Sequence, residues 1–287
     1  MEGDWWKDKI AEDIYETFRI KEQLIPRYHA HSPQIWSRRI IVDWIAVIVE
    51  NFSLQPTSQH LAIYLLDYFL DKLEVDEKHL YLLAIACLFI SVKFEEHCDR
   101  RPCLSSVNTF LPQNTVDWYS KDELLSMELT VLNYFDWILS VPTVAHFLPY
   151  FLNVAVDETD MYNGYTIRCK ATMISYVEKY AKYYSEISLQ DHLFRNYNPS
   201  MIAAACIAAA RIYLQLTPTW PKQLELMTDY YLEELLPCVH MMTRIQRQDE
   251  KNRSLSASQS PVHYNSVTTV TYPVYTGYDI TMPSLCV

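Results

Sequence analysis

Three groups of side chains have the type and spacing that chemistry requires. Asp67 and Asp71 lie four positions apart, so a helix would place both carboxylates on one face, as in helical synthases that hold Mg²⁺. No matching acidic motif stands on a second helix to complete such a site. His97, Cys98 and Cys103 are all zinc-ligand types, but a lone C-x4-C spacing without a second pair fits a plain loop better than a tetrahedral centre. Lys93 closes an apolar run, where a lysine extends its ammonium to solvent and interacts well with a helix C-terminus. The serines lack G-x-S-x-G and no cysteine stands in an activating context, so no nucleophile–base pair emerges. Only three glycines occur, Gly3, Gly164 and Gly277, too far apart to cradle a phosphate, which removes the nucleotide-binding glycine loops. The expectation is a chain with no catalytic residues, no metal and no cofactor.

The elements that would position these residues are helical. The chain has 287 residues, 50% of them hydrophobic, enough to bury a sizeable core. The runs at 80–90 and 201–210 are rich in Leu and Ala rather than β-branched residues. Both are shorter than the roughly 20 residues that span a bilayer, so they read as central core helices and not as membrane segments. A helix apolar on every side must be surrounded by others, which predicts a bundle in each half. Helical spacing and start signals place helices at 32–50, at 60–73 after Pro56, at 80–90 with Asp76 as its cap, and at 121–135. In the second half they fall at 143–154, 167–184, 199–216, 221–227 and 230–246. Sustained period-two alternation is nearly absent, so the fold class is all-α. Two tandem five-helix units at 32–142 and 143–246 follow an N-terminal extension with its own helix (1–31) and precede a disordered tail (247–287).

Charge and termini narrow the partners. A net charge of -11 repels a phosphate backbone, so direct nucleic-acid binding is not expected. Seven cysteines without C-x-x-C spacing suit reduced thiols, and the acidic start lacks a secretory signal, which together point to an intracellular protein. Ser260-Pro261 is a candidate proline-directed phosphorylation site. The R-x-x-L strings at 101–104 and 211–214 read as chance matches to degradation signals.

Several short strings then carry a family resemblance. Arg38-Arg39-Ile40-Ile41-Val42-Asp43-Trp44 resembles the opening helix of a cyclin box, and LAIYLLDYFLD around Asp67 resembles its second helix. Ser91-Val92-Lys93-Phe94-Glu95-Glu96 is similar to the motif closing the third, and Leu125-Ser126-Met127-Glu128 to the fifth. Val141-Pro142-Thr143, Tyr197-Asn198-Pro199-Ser200 and Trp220-Pro221 resemble landmarks of a second box. Their order and spacing, from residue 32 to about 246, identify the chain as resembling cyclins, and the Trp5-Trp6 start resembles a divergent branch of that family.

The resemblance implies a regulatory subunit, not an enzyme. It would bind and activate a cyclin-dependent Ser/Thr protein kinase by docking on its C-helix, with a role in cell-cycle control in the nucleus and/or cytoplasm. The alternative is a cyclin-fold adaptor that activates no kinase. By resemblance, Lys93 donates to the kinase, Glu128 orients it, and Ile90, Phe94, Trp137 and Leu139 form the kinase-binding face, with Phe94 and Trp137 as its exposed anchors. Arg38 and Asp67 correspond to an internal salt bridge. The substrate-docking patch is altered: Ile40, Ile41, Trp44 and Leu80 remain, implying a persistent apolar groove, while Ser37, Arg39 and Val47 stand where the family has a Met, an Ala and an acidic residue. Arg39 thereby adds like charge, and Val47 removes the charge that attracts an arginine-containing peptide. Kinase substrates are therefore expected to dock weakly or differently.

Overall fold

A computed structural model describes residues 7–112 and 118–257, and among these it places eleven α-helices and one small sheet. The first half contains α2 (Ile35–Asn51), α3 (Pro56–Leu70), α4 (Leu80–Glu95), the short α5 (Leu104–Asn108) and α6 (Lys121–Tyr134). The second contains α7 (Val144–Leu152), α8 (Lys170–Gln190), α9 (Pro199–Tyr213), α10 (Lys222–Thr228) and α11 (Leu232–Ala257). Helix α1 (Lys9–Glu22) precedes both.

Each half is organised by its uniformly apolar helix. α4 buries residues on every side, from Leu80 through Val92, and packs chiefly on α3 and α6. α9 does the same against α7, α8 and α11, opened by Pro199 in its first turn and filled with alanines that let neighbours approach closely. These two helices anchor two hydrophobic clusters. The division is not strictly sequential: α1 sends Ala11 into the second cluster, and Leu189 of α8 belongs to the first.

Local signals explain several boundaries. α6 starts at a capping box, in which the Glu123 backbone N–H donates to Ser120 Oγ and the Ser120 backbone N–H donates to the Glu123 carboxylate at 2.8 Å. Glu96, turned inward just beyond α4, accepts from the Gln55 N–H and from Ser58 Oγ (3.0 Å), and so satisfies the start of α3. The structure corrects four expectations. Asp76 opens a 3-10 turn (Glu77–His79) instead of capping α4, and its side chain makes no capping bond. α8 runs on to Gln190 because its last turn packs between the two halves. α11 continues to Ala257, so residues 247–257 are helical and not part of a disordered tail; Tyr184 Oη donates to Gln246 at 2.5 Å and Asp249 lies 3.8 Å from Arg39. Finally, β1 (Met161–Tyr162), β2 (Tyr165–Thr166) and β3 (Leu216–Thr217) form an antiparallel sheet in the order β2-β1-β3. Its hairpin turns through Asn163 and Gly164, both at positive φ, as an Asn-Gly turn requires.

Among the described residues no helix is long and apolar enough to cross a membrane. Trp5-Trp6, Ser260 and the expected tail beyond residue 257 lie outside the described residues.

Candidate functional site

Lys93 stands in the last turn of α4, where the crossing of α6 brings Glu128 beside it. The ammonium donates to both carboxylate oxygens of Glu128, at 2.5 and 2.7 Å. The two partners differ in environment: the Glu128 side chain is 6% exposed and that of Lys93 is 47% exposed. A buried carboxylate therefore fixes a half-exposed ammonium that has three donors, two of them engaged. Arg101 donates to the Lys93 carbonyl at 3.2 Å, satisfying one of the open carbonyls at the end of α4.

Exposed apolar side chains stand on the same elements as this pair, or just beyond them. Phe94 is half exposed, and Trp137 is 60% exposed just beyond α6. Asp136 and Trp137 both have positive φ (49° and 62°), a conformation that costs a side-chain-bearing residue about 1–2 kcal/mol. The Trp137 N–H donates back to the Leu132 carbonyl at 2.9 Å, and its indole N–H to Asn133 Oδ1 at 3.2 Å. A strained turn thus ends α6 and displays an indole to solvent. Ile138, Leu125 and Leu129 are also exposed. Of the four residues expected to form the kinase-binding face, Phe94 and Trp137 are exposed, as expected of its anchors, and Ile90 and Leu139 are not. Ile90 is 3% exposed inside the first cluster and Leu139 is half-buried against it.

The expected apolar docking groove is closed. Ile41, Trp44 and Leu80 are all buried, and only Ile40 remains exposed. The Trp44 indole donates to the Phe110 carbonyl at 2.7 Å and meets Tyr81 edge-on at 5.2 Å. The segment after α5 and the Tyr81 ring therefore cover the Trp44 side chain. Arg39 is exposed but engaged, with Gln190 Oε1 at 3.0 Å and Asp43 and Asp249 at 3.9 and 3.8 Å.

Arg38 and Asp67 form a bidentate pair, Nε to Oδ1 at 2.6 Å and Nη2 to Oδ2 at 2.8 Å, and both are buried. A third member had no sequence signal: Arg195, from the 3-10 turn His192–Asn196 of the second half, donates Nε to Asp67 Oδ2 at 2.7 Å. Arg38 also donates to the Gln190 carbonyl at 3.0 Å. Burial by itself would raise the Asp67 pKa, but the two guanidinium groups outweigh it and hold the carboxyl below its ordinary range. Asp71 has a different task, accepting backbone N–H bonds from His29 (3.1 Å) and His31 (3.0 Å), so the pair of aspartates is spent on structure. Two further contacts join the halves: His60 Nε2 and Ser185 Oγ at 3.0 Å, and His146 Nε2 and Glu95 Oε1 at 3.7 Å.

His97, Cys98 and Cys103 are exposed, and among the described residues no three His, Cys, Asp or Glu side chains converge on a metal-sized site. Cys103 instead shares hydrogen bonds with the Ser105 and Ser106 hydroxyls, which lower its pKa to about 7. Arg211 is wholly buried, paired with Asp160 at 2.7 and 2.9 Å, and Leu214 is buried too, so the arginine and leucine of the R-x-x-L string beginning there are both inaccessible.

Comparisons with known proteins agree with this architecture. A model of the cyclin N-terminal domain matches residues 13–162, and one of the cyclin C-terminal domain matches residues 142–271. Cyclin-J of Xenopus laevis is 42% identical over 88% of this chain and 66% of its own length. Human cyclin-J is 38% identical over 91% of this chain and 67% of its length, so the chain spans about two thirds of these relatives. Among solved structures, a viral cyclin from herpesvirus saimiri superposes with a TM-score of 0.62 at 16% identity, covering 80% of this chain and 94% of that one. A chain of the yeast RNA polymerase II CTD kinase complex CTDK-1 gives a TM-score of 0.54 at 10% identity over 80% of this chain and 70% of that one.

Proposed function

Because this chain belongs to the cyclin family, we propose that it is a regulatory subunit that docks on the C-helix of a cyclin-dependent Ser/Thr kinase and holds it in the active position. The observation that carries this reading is the Lys93–Glu128 pair, a half-exposed ammonium pinned by a buried carboxylate. One of its donors remains for acceptors on a partner. Phe94 and Trp137 beside it supply exposed aromatic area of the kind that dominates interface energies. The strained turn under Trp137 is consistent with a side chain displayed for binding.

The proposed mechanism is a population shift. A subunit that binds the active kinase conformation more tightly favours it by the difference in affinity, and moving an equilibrium from 1:99 to 99:1 takes about 5.5 kcal/mol of that difference. The kinase's own Lys–Glu pair and activation loop would then be placed for phosphoryl transfer. In this reading the activity belongs to the complex, the chain binds no nucleotide, and its setting is cell-cycle control in the nucleus or cytoplasm.

The test pairs the purified chain with individual cyclin-dependent kinases and reads phosphotransfer to a Ser/Thr peptide. A Lys93→Ala/Glu128→Ala variant of confirmed folding serves as control. Activation by the natural chain and its loss in the variant support the reading. A kinase bound equally by both without activation would instead identify an adaptor.

A further inference from the structure

We propose that the open groove between residues 73–79 and α6 docks a basic peptide segment bearing an apolar anchor. The groove has a volume of about 820 Å³. Its floor is apolar: Leu73 is 41% exposed, Val75 and Met127 are half-buried, and Phe69 and Leu82 lie beneath them. Its rim is acidic, with Glu74 and Asp76 on one side and Asp122 and Glu123 on the other. Exposed apolar floor surrounded by carboxylates is the complement of a segment in which arginines or lysines flank a leucine-like side chain.

Three of the four rim carboxylates have no ion-pair partner among the described residues, and His79 also lines the groove. Lys78 pairs with Asp76 at 3.4 Å, and Glu123 accepts from the Ser120 backbone, which leaves its negative charge in place. Glu74 and Asp122 form no ion pair among the described residues, and the hydrogen bonds from Ser120 hold the Glu123 carboxyl below its ordinary range. The net charge of -11 adds a long-range pull on a cationic segment and repels an acidic one or a nucleic acid.

The position gives the groove a purpose. It adjoins the start of α4, near Leu82, whereas Lys93 lies eleven residues further along the same helix, about 16 Å at 1.5 Å per residue. A segment held here would leave the Lys93 face free. It would also offer recruitment by a surface other than the Trp44 patch, which Tyr81 and the Phe110 carbonyl close. The binding step itself does not depend on the chain activating a kinase.

The experiment is fluorescence anisotropy with the full chain and three short synthetic peptides. The first carries a leucine pair flanked by arginines, the second has glutamates in place of the arginines, and the third has serines in place of the leucines. The first is expected to bind about tenfold or more tighter than either relative. The variant Glu74→Lys/Asp122→Lys should weaken the first peptide by about tenfold and improve the second, and Leu73→Asp should weaken the first comparably. Lys93→Ala should leave all three titrations unchanged, which separates this site from the proposed kinase face. Equal binding of the first and second peptides, full retention by the serine peptide, no measurable binding of the first, or indifference to both groove variants would each overturn the proposal.

Discussion

Removing Arg38 tests how the two halves are held together, and its cost can be worked from the contacts. Arg38 supplies two short charge-assisted bonds to Asp67, whose side chain is 1% exposed, and a third bond to the Gln190 carbonyl. Breaking a buried ion pair by deleting one partner costs about 3–5 kcal/mol. In Arg38→Ala the carboxylate keeps Arg195 at 2.7 Å, so the loss belongs near the lower end, about 3 kcal/mol. Asp67→Ala instead strands a wholly buried guanidinium, which places it near about 5 kcal/mol. Arg195→Ala leaves the bidentate pair intact and removes one charged hydrogen bond from a side chain 18% exposed, about 1.5 kcal/mol. At about 2–4 °C per kcal/mol for a domain of this size, Arg38→Ala should lower Tm by about 6–12 °C and Asp67→Ala by about 10–20 °C. Thermal melts followed by circular dichroism at neutral pH measure both. Because the folded Asp67 pKa is depressed, the contribution is present above the unfolded aspartate range and is lost as pH falls through the folded value. An Arg38→Ala melt within about 2 °C of the natural chain, or an Arg195→Ala cost exceeding that of Asp67→Ala, would refute the ordering.

Other expectations follow from the same geometry. Burial lowers the His60 pKa to about 3, against about 6.5 unfolded, so the folded state binds fewer protons and stability is full above pH 6.5 and falls below it. The slope should approach about 1.4 kcal/mol per pH unit between the two values, and His60→Gln should flatten it in denaturant titrations run across that range. Lys93→Ala should abolish kinase activation in the reconstituted assay and also lower Tm, because it leaves the buried Glu128 carboxylate without its ammonium. Lys93→Ala/Glu128→Ala, which removes both charges, should recover part of that Tm and remain inactive. Trp137→Gly should relieve the left-handed strain and hold or raise Tm, while weakening kinase capture by about thirtyfold, the equivalent of a 2 kcal/mol hot spot. A Trp137→Gly chain that melts several degrees lower would show that the turn depends on the indole.

The legible parts of the fold were those coded locally. Pro56 and Pro199 mark helix starts within one turn of the chain, and the runs through Leu80 and Met201 can only be surrounded helices. The Asn163-Gly164 hairpin was missed: Asn-Gly is a turn signal, but its two-residue strands are too short to show alternation. The end of α11 was missed because residues 247–257 are polar, and their helix is secured by Gln246 and Asp249 reaching Tyr184 and Arg39. Short α5 escaped for a related reason: five residues carry too little periodicity to be recognised.

The sequence by itself determined that the chain is helical, that it forms two bundles each around an apolar helix, and that Lys93 closes the first of these. Hydrophobic periodicity, propensity and capping act over a few residues and are written in order along the chain. Only the tertiary structure decided that Arg195 reaches Asp67 across 128 positions, that Tyr81 and Phe110 shut the Trp44 patch, that Ile90 faces inward while Trp137 faces out, and that α1 packs on the second half. An apolar helix has no preferred face of its own, so which side chains meet, and which are left exposed, is set by how the helices cross.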